Sequence, residues 1–269
     1  MLKALRGERG WTAEQVADLL GFSPSKVSRL ETGQRGASAR DVTKLCDLYE
    51  VDEAKRQRMA DLAREGKQRA WWQPLNLPYS TYIGLEAEAA SIRDYGLGII
   101  PGLLQAPDYA RAVVRATLPN LAPEAVEQRV YGRVTRQQLL LGEDAPRFEA
   151  VVDESVLHRM VGSPAIMRAQ LERLLELSEL PSVTLRVLPY SAGALPAGNN
   201  KFIILSFALP TVPDVVFIEG LTGDLFLEDP TDVEAYKATY RTLVRSAADP
   251  ETTRETIAAC LPRFGAQSD

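Results

Sequence analysis

The sequence predicts an α+β chain: an N-terminal all-α domain of helix-turn-helix type, then a larger α+β domain with a small, mainly antiparallel sheet. Three observations predict it. Residues 12–33 spell two short capped helices with a tight turn between them. Pro, Gly and Trp punctuate residues 66–78, where the pattern changes. After residue 183, short apolar runs separated by turn residues replace helical periodicity. The expected boundaries are 1–66 for the head, 67–78 for a linker, 79–262 for the body and 263–269 for a tail.

In the head, helix 1 begins almost at Met1. Thr12 can N-cap the next helix, and Gln15 completes a capping-box pattern. Val16, Ala17, Leu19 and Leu20 fall on one helical face. Gly21 supplies the positive φ that ends that helix. Ser23 caps a second helix, and Pro24 takes its first position. Val27 and Leu30 point inward, leaving Ser25, Lys26, Ser28, Arg29 and Thr32 outside. Gln34–Ser38 reads as a loop. Ser38 caps a helix over Ala39–Glu50 with Val42, Leu45, Cys46 and Tyr49 inward. Asp52 starts a helix to about Glu65, whose outer Lys55, Arg56, Arg58 and Arg64 form a solvated face. Gly66-Lys67-Gln68-Arg69 is a hinge, and Trp71 and Trp72 fit an anchor onto the body better than a base-stacking platform.

In the body, Tyr82–Tyr95 has helical spacing (Leu85, Ala89, Ile92), and Gly96–Leu104 reads as extended with a turn at Pro101-Gly102. Pro107 opens a helix to Thr117 and Pro123 another to about Leu141. Strands are expected at Phe148–Asp153, Val183–Leu188, Phe202–Phe207, Val215–Glu219 and Asp224–Leu227. Between the first two lie a short helix with Val156, Leu157 and Met160, and an amphipathic helix over Pro164–Leu177. Asp232–Ala247 and Glu251–Cys260 close the chain.

The 269 residues are 45% hydrophobic and 25% charged, enough for two domains with a sizeable core. No apolar run is long enough to span a bilayer and no signal-peptide pattern opens the chain. Cys46 and Cys260 lie on apolar helical faces and read as buried free thiols, which fits a reducing cytoplasm. The net charge of −5 is unevenly spread: residues 1–69 carry 14 Lys and Arg against 11 Asp and Glu, the rest 17 against 25. A basic head on an acidic body suits DNA, because phosphate contact needs a local patch.

Conventional catalytic signatures are missing. His158 is the single histidine, which removes histidine triads and most zinc sites. There is no CxxC, GxSxG, Walker or dinucleotide fingerprint. Asp153 and Glu154 read as a helix N-terminus. Nothing nominates an enzyme, a cofactor or a metal.

The run Ser28-Arg29-Leu30-Glu31-Thr32-Gly33, with Ala17, Gly21 and Val27 at their spacing, resembles the helix-turn-helix of the phage-repressor-like, xenobiotic-response-element family. In the body, Leu85-Glu86-Ala87-Glu88-Ala89, Ile100-Pro101-Gly102-Leu103-Leu104-Gln105, Arg133 with Arg136-Gln137, Asp153-Glu154-Ser155-Val156-Leu157 and Val216-Phe217-Ile218-Glu219 carry a longer resemblance. They look like actinobacterial regulators with such a head and an antitoxin-like, WhiJ-like C-terminal domain of unknown function. That resemblance implies a cytoplasmic DNA-binding transcriptional regulator whose gene neighbours a small partner. It also implies a pair between Arg6 and Glu31, which match positions paired in similar repressor heads.

Within that frame Ser25 and Arg29 are expected to read base edges. Lys26, Ser28, Thr32, Gln34, Arg35 and Arg40 are expected on phosphates. The partners expected are a double-stranded DNA operator and a second copy of the chain. Two other readings stand beside it: an antitoxin-like module that sequesters a small toxin-like protein encoded nearby, and a sensor of a small-molecule effector. The last would use a pocket with Arg133, Arg136, Gln137 and Glu219.

Overall fold

The computed structural model describes residues 2–31, 37–53, 55–61, 79–142, 144–194, 197, 200–209, 211–220 and 223–265, with backbone alone at Ala4, Arg29 and Ala39. The hinge and both tryptophans of the expected linker lie outside them. The chain divides into two compact units, Met1–Pro74 and Leu75–Asp269. Among the described residues no helix is long and apolar enough to cross a membrane.

The head is helical: α1 (Leu2–Glu8), α2 (Ala13–Leu20), α3 (Pro24–Glu31), α4 (Ala39–Leu48) and α5 (55–61). Side chains start these helices as the sequence predicts. The Thr12 hydroxyl accepts from the Gln15 amide at 3.2 Å, and the Gln15 side chain accepts from Thr12 N–H at 2.8 Å. Ser23 accepts from Lys26 N–H at 3.2 Å, and Ser38 and Asp41 form a second reciprocal box. Gly21 ends α2 at φ +64°. Val16, Ala17, Val27, Leu30, Leu45 and Tyr49 form the core. Leu19 is not part of it and is 59% exposed. Val16, Ala17 and Leu20 define the inward stripe, and position 19 lies roughly 100° from its centre.

The body holds α6 (Ser80–Glu88), β1 (Ser91–Gly96), α7 (Pro107–Thr117), α8 (Pro123–Arg136), β2 (Arg147–Asp153), α9 (Pro164–Leu177), β3 (Val183–Leu188), β4 (Phe202–Ser206), β5 (Val215–Ile218), β6 (Leu225–Leu227), α10 (Pro230–Ser246) and α11 (Pro250–Cys260). Five of its helices begin with proline in the first turn, where no N–H is needed. Asp153 caps a short 3₁₀ turn over Glu154–Leu157 by accepting from Ser155 N–H at 2.9 Å. A last turn, Leu261–Phe264, buries Phe264, so the packed body reaches past Pro262. Cys46 and Cys260 are free and buried.

The sheet differs from the expectation. It has six strands in the order β3-β2-β1-β4-β5-β6 and is mixed. β1 pairs parallel with β2, and β2 with β3; β1–β4, β4–β5 and β5–β6 are antiparallel. Parallel neighbours need long crossovers, and α7–α8 and α9 supply them. The helix expected over Tyr82–Tyr95 stops at Glu88, and its second half is the strand β1. β1 is buried on both faces, and Ser91, Arg93 and Asp94 interrupt its two β-formers, Ile92 and Tyr95, so it shows no alternation. The segment after Gly96, expected to be extended, closes in a 3₁₀ turn at Gly102–Leu104. α8 likewise ends at Arg136, passes into a 3₁₀ turn over Gln137–Leu140, and leaves Leu141 52% exposed.

One sheet face carries Tyr95, Val151, Leu188, Phe202, Ile204 and Val216, packed on Val233, Tyr240 and Leu243 of α10. The opposite face presents the cross-strand partners Asp94, Ile203 and Phe217. There Tyr82 of α6 stacks on Phe217 at 4.3 Å between ring centroids.

Candidate nucleic-acid interface and body cavity

α2, the turn at Gly21 and α3 form a helix-turn-helix unit held by their shared core. Ser25 and Ser28 are exposed on α3, and Arg40 is exposed in the first turn of α4. Arg29 stands one turn after Ser25 on α3; its side chain lies outside the described residues, as do Thr32, Gln34 and Arg35. Lys26 has a structural partner. Its ammonium bonds Asp41 Oδ1 at 2.6 Å and sits 3.6 Å from the Phe22 ring centroid. Burial pushes the Asp41 carboxyl up, but Lys26 and Ser38 outweigh it and hold the group below the ordinary carboxylate value.

Two further contacts fix the angle of the unit. Arg6 Nε and Nη2 bond Glu31 Oε1 and Oε2 at 2.6 and 2.9 Å, and Nη1 bonds the Trp11 carbonyl at 2.8 Å. This is the pair the family resemblance implied, and it ties α1 to the end of α3. Lys44 of α4 donates to the Leu20 carbonyl at 3.1 Å, satisfying the C-terminus of α2. Nothing in the spacing of Lys44 singles it out; only the crossing of α2 and α4 reveals its role.

In the body a cavity of about 650 Å³ opens between the sheet face bearing Asp94 and the helices α6–α8. Its frame is a buried pair: Arg136 Nε and Nη2 bond Glu86 Oε2 and Oε1, each at 2.6 Å, and Tyr82 donates to the same carboxylate. A set of amides holds the loop after β1. Gln137 donates to the Gln105 carbonyl at 2.5 Å, and Gln105 donates to the Ile100 carbonyl at 2.6 Å. Gln170, fully buried, donates to the Leu104 carbonyl and accepts from Ala106 N–H. The resemblance motifs around Glu86, Gln105 and Arg136 therefore meet at one place.

Arg133, Arg136 and Glu219 line the cavity together. Gln137 stands behind them, supporting the loop. Burial pushes the Glu219 carboxyl up, but Lys201, which pairs with it, together with Arg133 and Arg136 outweighs that and holds it below its ordinary value. Arg133 donates to Gln105 Oε1 at 2.8 Å, but its Nε is buried without a partner, as is the Tyr79 hydroxyl. Asp94 is 7% exposed, and burial pushes its carboxyl up to about 7. Asp94, Arg129 and Tyr79 also line this cavity. Sequence reasoning missed them. Asp94 lies in the strand mistaken for helix, and Arg129 resembles any solvated helix position.

Comparison with known proteins agrees with this division. A helix-turn-helix domain model matches residues 1–59, and the model of a domain of unknown function, DUF5753, matches residues 79–259. No curated protein and no solved structure matches the chain. The helix-turn-helix match implies DNA binding by the head. The second match covers most of the chain, which therefore belongs to the DUF5753 family, here with a helix-turn-helix domain ahead of the family domain.

Proposed function

We propose that the chain is a sequence-specific transcriptional regulator that binds a two-fold operator as a homodimer, its body controlling dimerisation and response to a partner. The observation that carries this reading is the capped α2–turn–α3 unit, with Ser25 and Ser28 exposed on α3 in a basic head. Ser25 and Arg29, one turn apart, read base edges. Ser28, Thr32, Gln34, Arg35 and Arg40 position the phosphates, and Lys26 joins them when it leaves Asp41. DNA selected from a random pool by the full chain supplies the test. Arg29→Ala should lose about 1–3 kcal/mol on the selected site and relax one base position, with random DNA unaffected. An unchanged ratio of selected to random binding removes Arg29 from base readout.

The cavity favours a second reading of the body, as the receiver of a small-molecule effector. Its size falls in the range of about 300–1,000 Å³ that small ligands occupy. Its walls combine apolar side chains with buried polar atoms lacking partners.

A further inference from the structure

The cations that line the cavity are unequally partnered. Lys201 pairs directly with Glu219, whose charge also acts on Arg133 without a direct contact, and Arg136 is matched by Glu86. Arg129 and Arg133, one turn apart on α8, both line the cavity, and neither has a carboxylate partner among the described residues. Asp94 offers no full countercharge near neutral pH, because burial holds its carboxyl near 7. Asp224 is exposed to water, where its charge is screened. Leaving the Arg133 guanidinium buried with an unsatisfied Nε is costly, and burial indeed lowers its pKa. The Tyr79 hydroxyl lacks a partner too, and the Arg129 guanidinium lies 5.9 Å from its ring centroid. On the side of α7 the wall is mainly apolar, through Val113, Val114 and Leu118, the last 39% exposed.

We propose that this cavity binds a small amphipathic organic anion. The anionic head is held by Arg129, Arg133 and the Tyr79 hydroxyl, and the apolar part lies along α7. The proposal rests on the effector-receiving reading of the body and gives its ligand a chemical class. An anion accepts from the donors that lack acceptors, and the apolar wall selects an organic anion over inorganic phosphate.

The test uses the full chain without DNA and follows the fluorescence of anilinonaphthalene sulfonate, an amphipathic anion, beside uncharged phenylnaphthylamine. One saturable sulfonate site is expected. Arg129→Gln and Arg133→Gln should each weaken the sulfonate at least about tenfold, the worth of a charge-assisted hydrogen bond, and the uncharged probe less than about twofold. Arg129 is only half-buried, so Arg129→Gln gives the reading even where Arg133→Gln does not fold, which circular dichroism reports. Absence of a saturable site, equal weakening of both probes, or displacement of the sulfonate by inorganic phosphate at similar concentration overturns the proposal. Absence of a saturable site for both probes removes the effector-receiving reading as well, whereas equal weakening of both probes or displacement by phosphate removes the anionic class alone; the operator titration tests the DNA-binding reading independently.

Discussion

Asp94 shows how one side chain can be set against the stability of its own fold. Its carboxyl ionises near 4 in an unfolded chain and near 7 in the fold. Between those values the folded state keeps a proton that the unfolded state gives up, so this group lowers stability as pH rises from 4 to 7. Asp94→Asn removes the effect: it should raise the unfolding free energy at pH 8, by a ceiling of about 4 kcal/mol, and leave it unchanged at pH 4. A gain of equal size at both values would assign the effect to packing. Arg6 and Glu31 illustrate the opposite case, with side chains 18% and 7% exposed. Removing either leaves a half-desolvated charge. Arg6→Ala and Glu31→Ala should each cost about 1–3 kcal/mol, and a double-mutant cycle should return coupling of similar size. Coupling near zero would mean that the contact adds nothing to the head. Arg133 and Arg136 stand out in the sequence because they share a helical face with Gln137 beside apolar positions; both line the cavity, Gln137 does not, and Glu219 has no such local signal. Asp94 was not legible, because a polar residue in a strand buried on both faces leaves no alternation to read.

Elements with local signals were legible. α7 and α9 run over the expected residues because Pro107 and Pro164 open them and an apolar stripe continues to Thr117 and Leu177. α2 and α3 are framed by Thr12, Gly21 and Ser23. Gly21 is a clean test of backbone preference, since a Cβ there meets nothing within 4 Å. Gly21→Ala should therefore cost about 1 kcal/mol from the left-handed backbone alone, and Gly21→Asn less. Denaturant titration checks this, and an unchanged midpoint for alanine would show that the turn relaxes to another conformation. Strand order had no local signal. Val183–Leu188 looks the same beside a parallel or an antiparallel neighbour, and α9 decides between them only once it is seen as a crossover.

At the scale of the whole chain, Met1–Pro74 and Leu75–Asp269 each hold a core, so the proposed division of labour can be tested by separating them. Residues 1–74 should fold and bind the selected operator much more weakly than the intact chain, because one small head buries little surface. Residues 75–269 should sediment as an oligomer and bind no DNA. A monomeric body beside a head that binds as tightly as the full chain would move dimerisation into the head. Within the body, β1 has neighbours of both senses, β2 parallel and β4 antiparallel. The chain leaves β1 toward β2 and reaches β4 from a different direction, so the strand's carboxyl end is a topological switch point, where open sheets leave a crevice. Asp94, Gly96 and Gly102 line the cavity there. The crevice thus follows from chain routing, and the residues that set its chemistry come from helix α8, from strand ends and from Tyr79 at the start of α6. The ligand preference proposed for the cavity can therefore be rewritten at positions such as 129, 133, 201 and 219 without disturbing a single backbone pairing of the sheet.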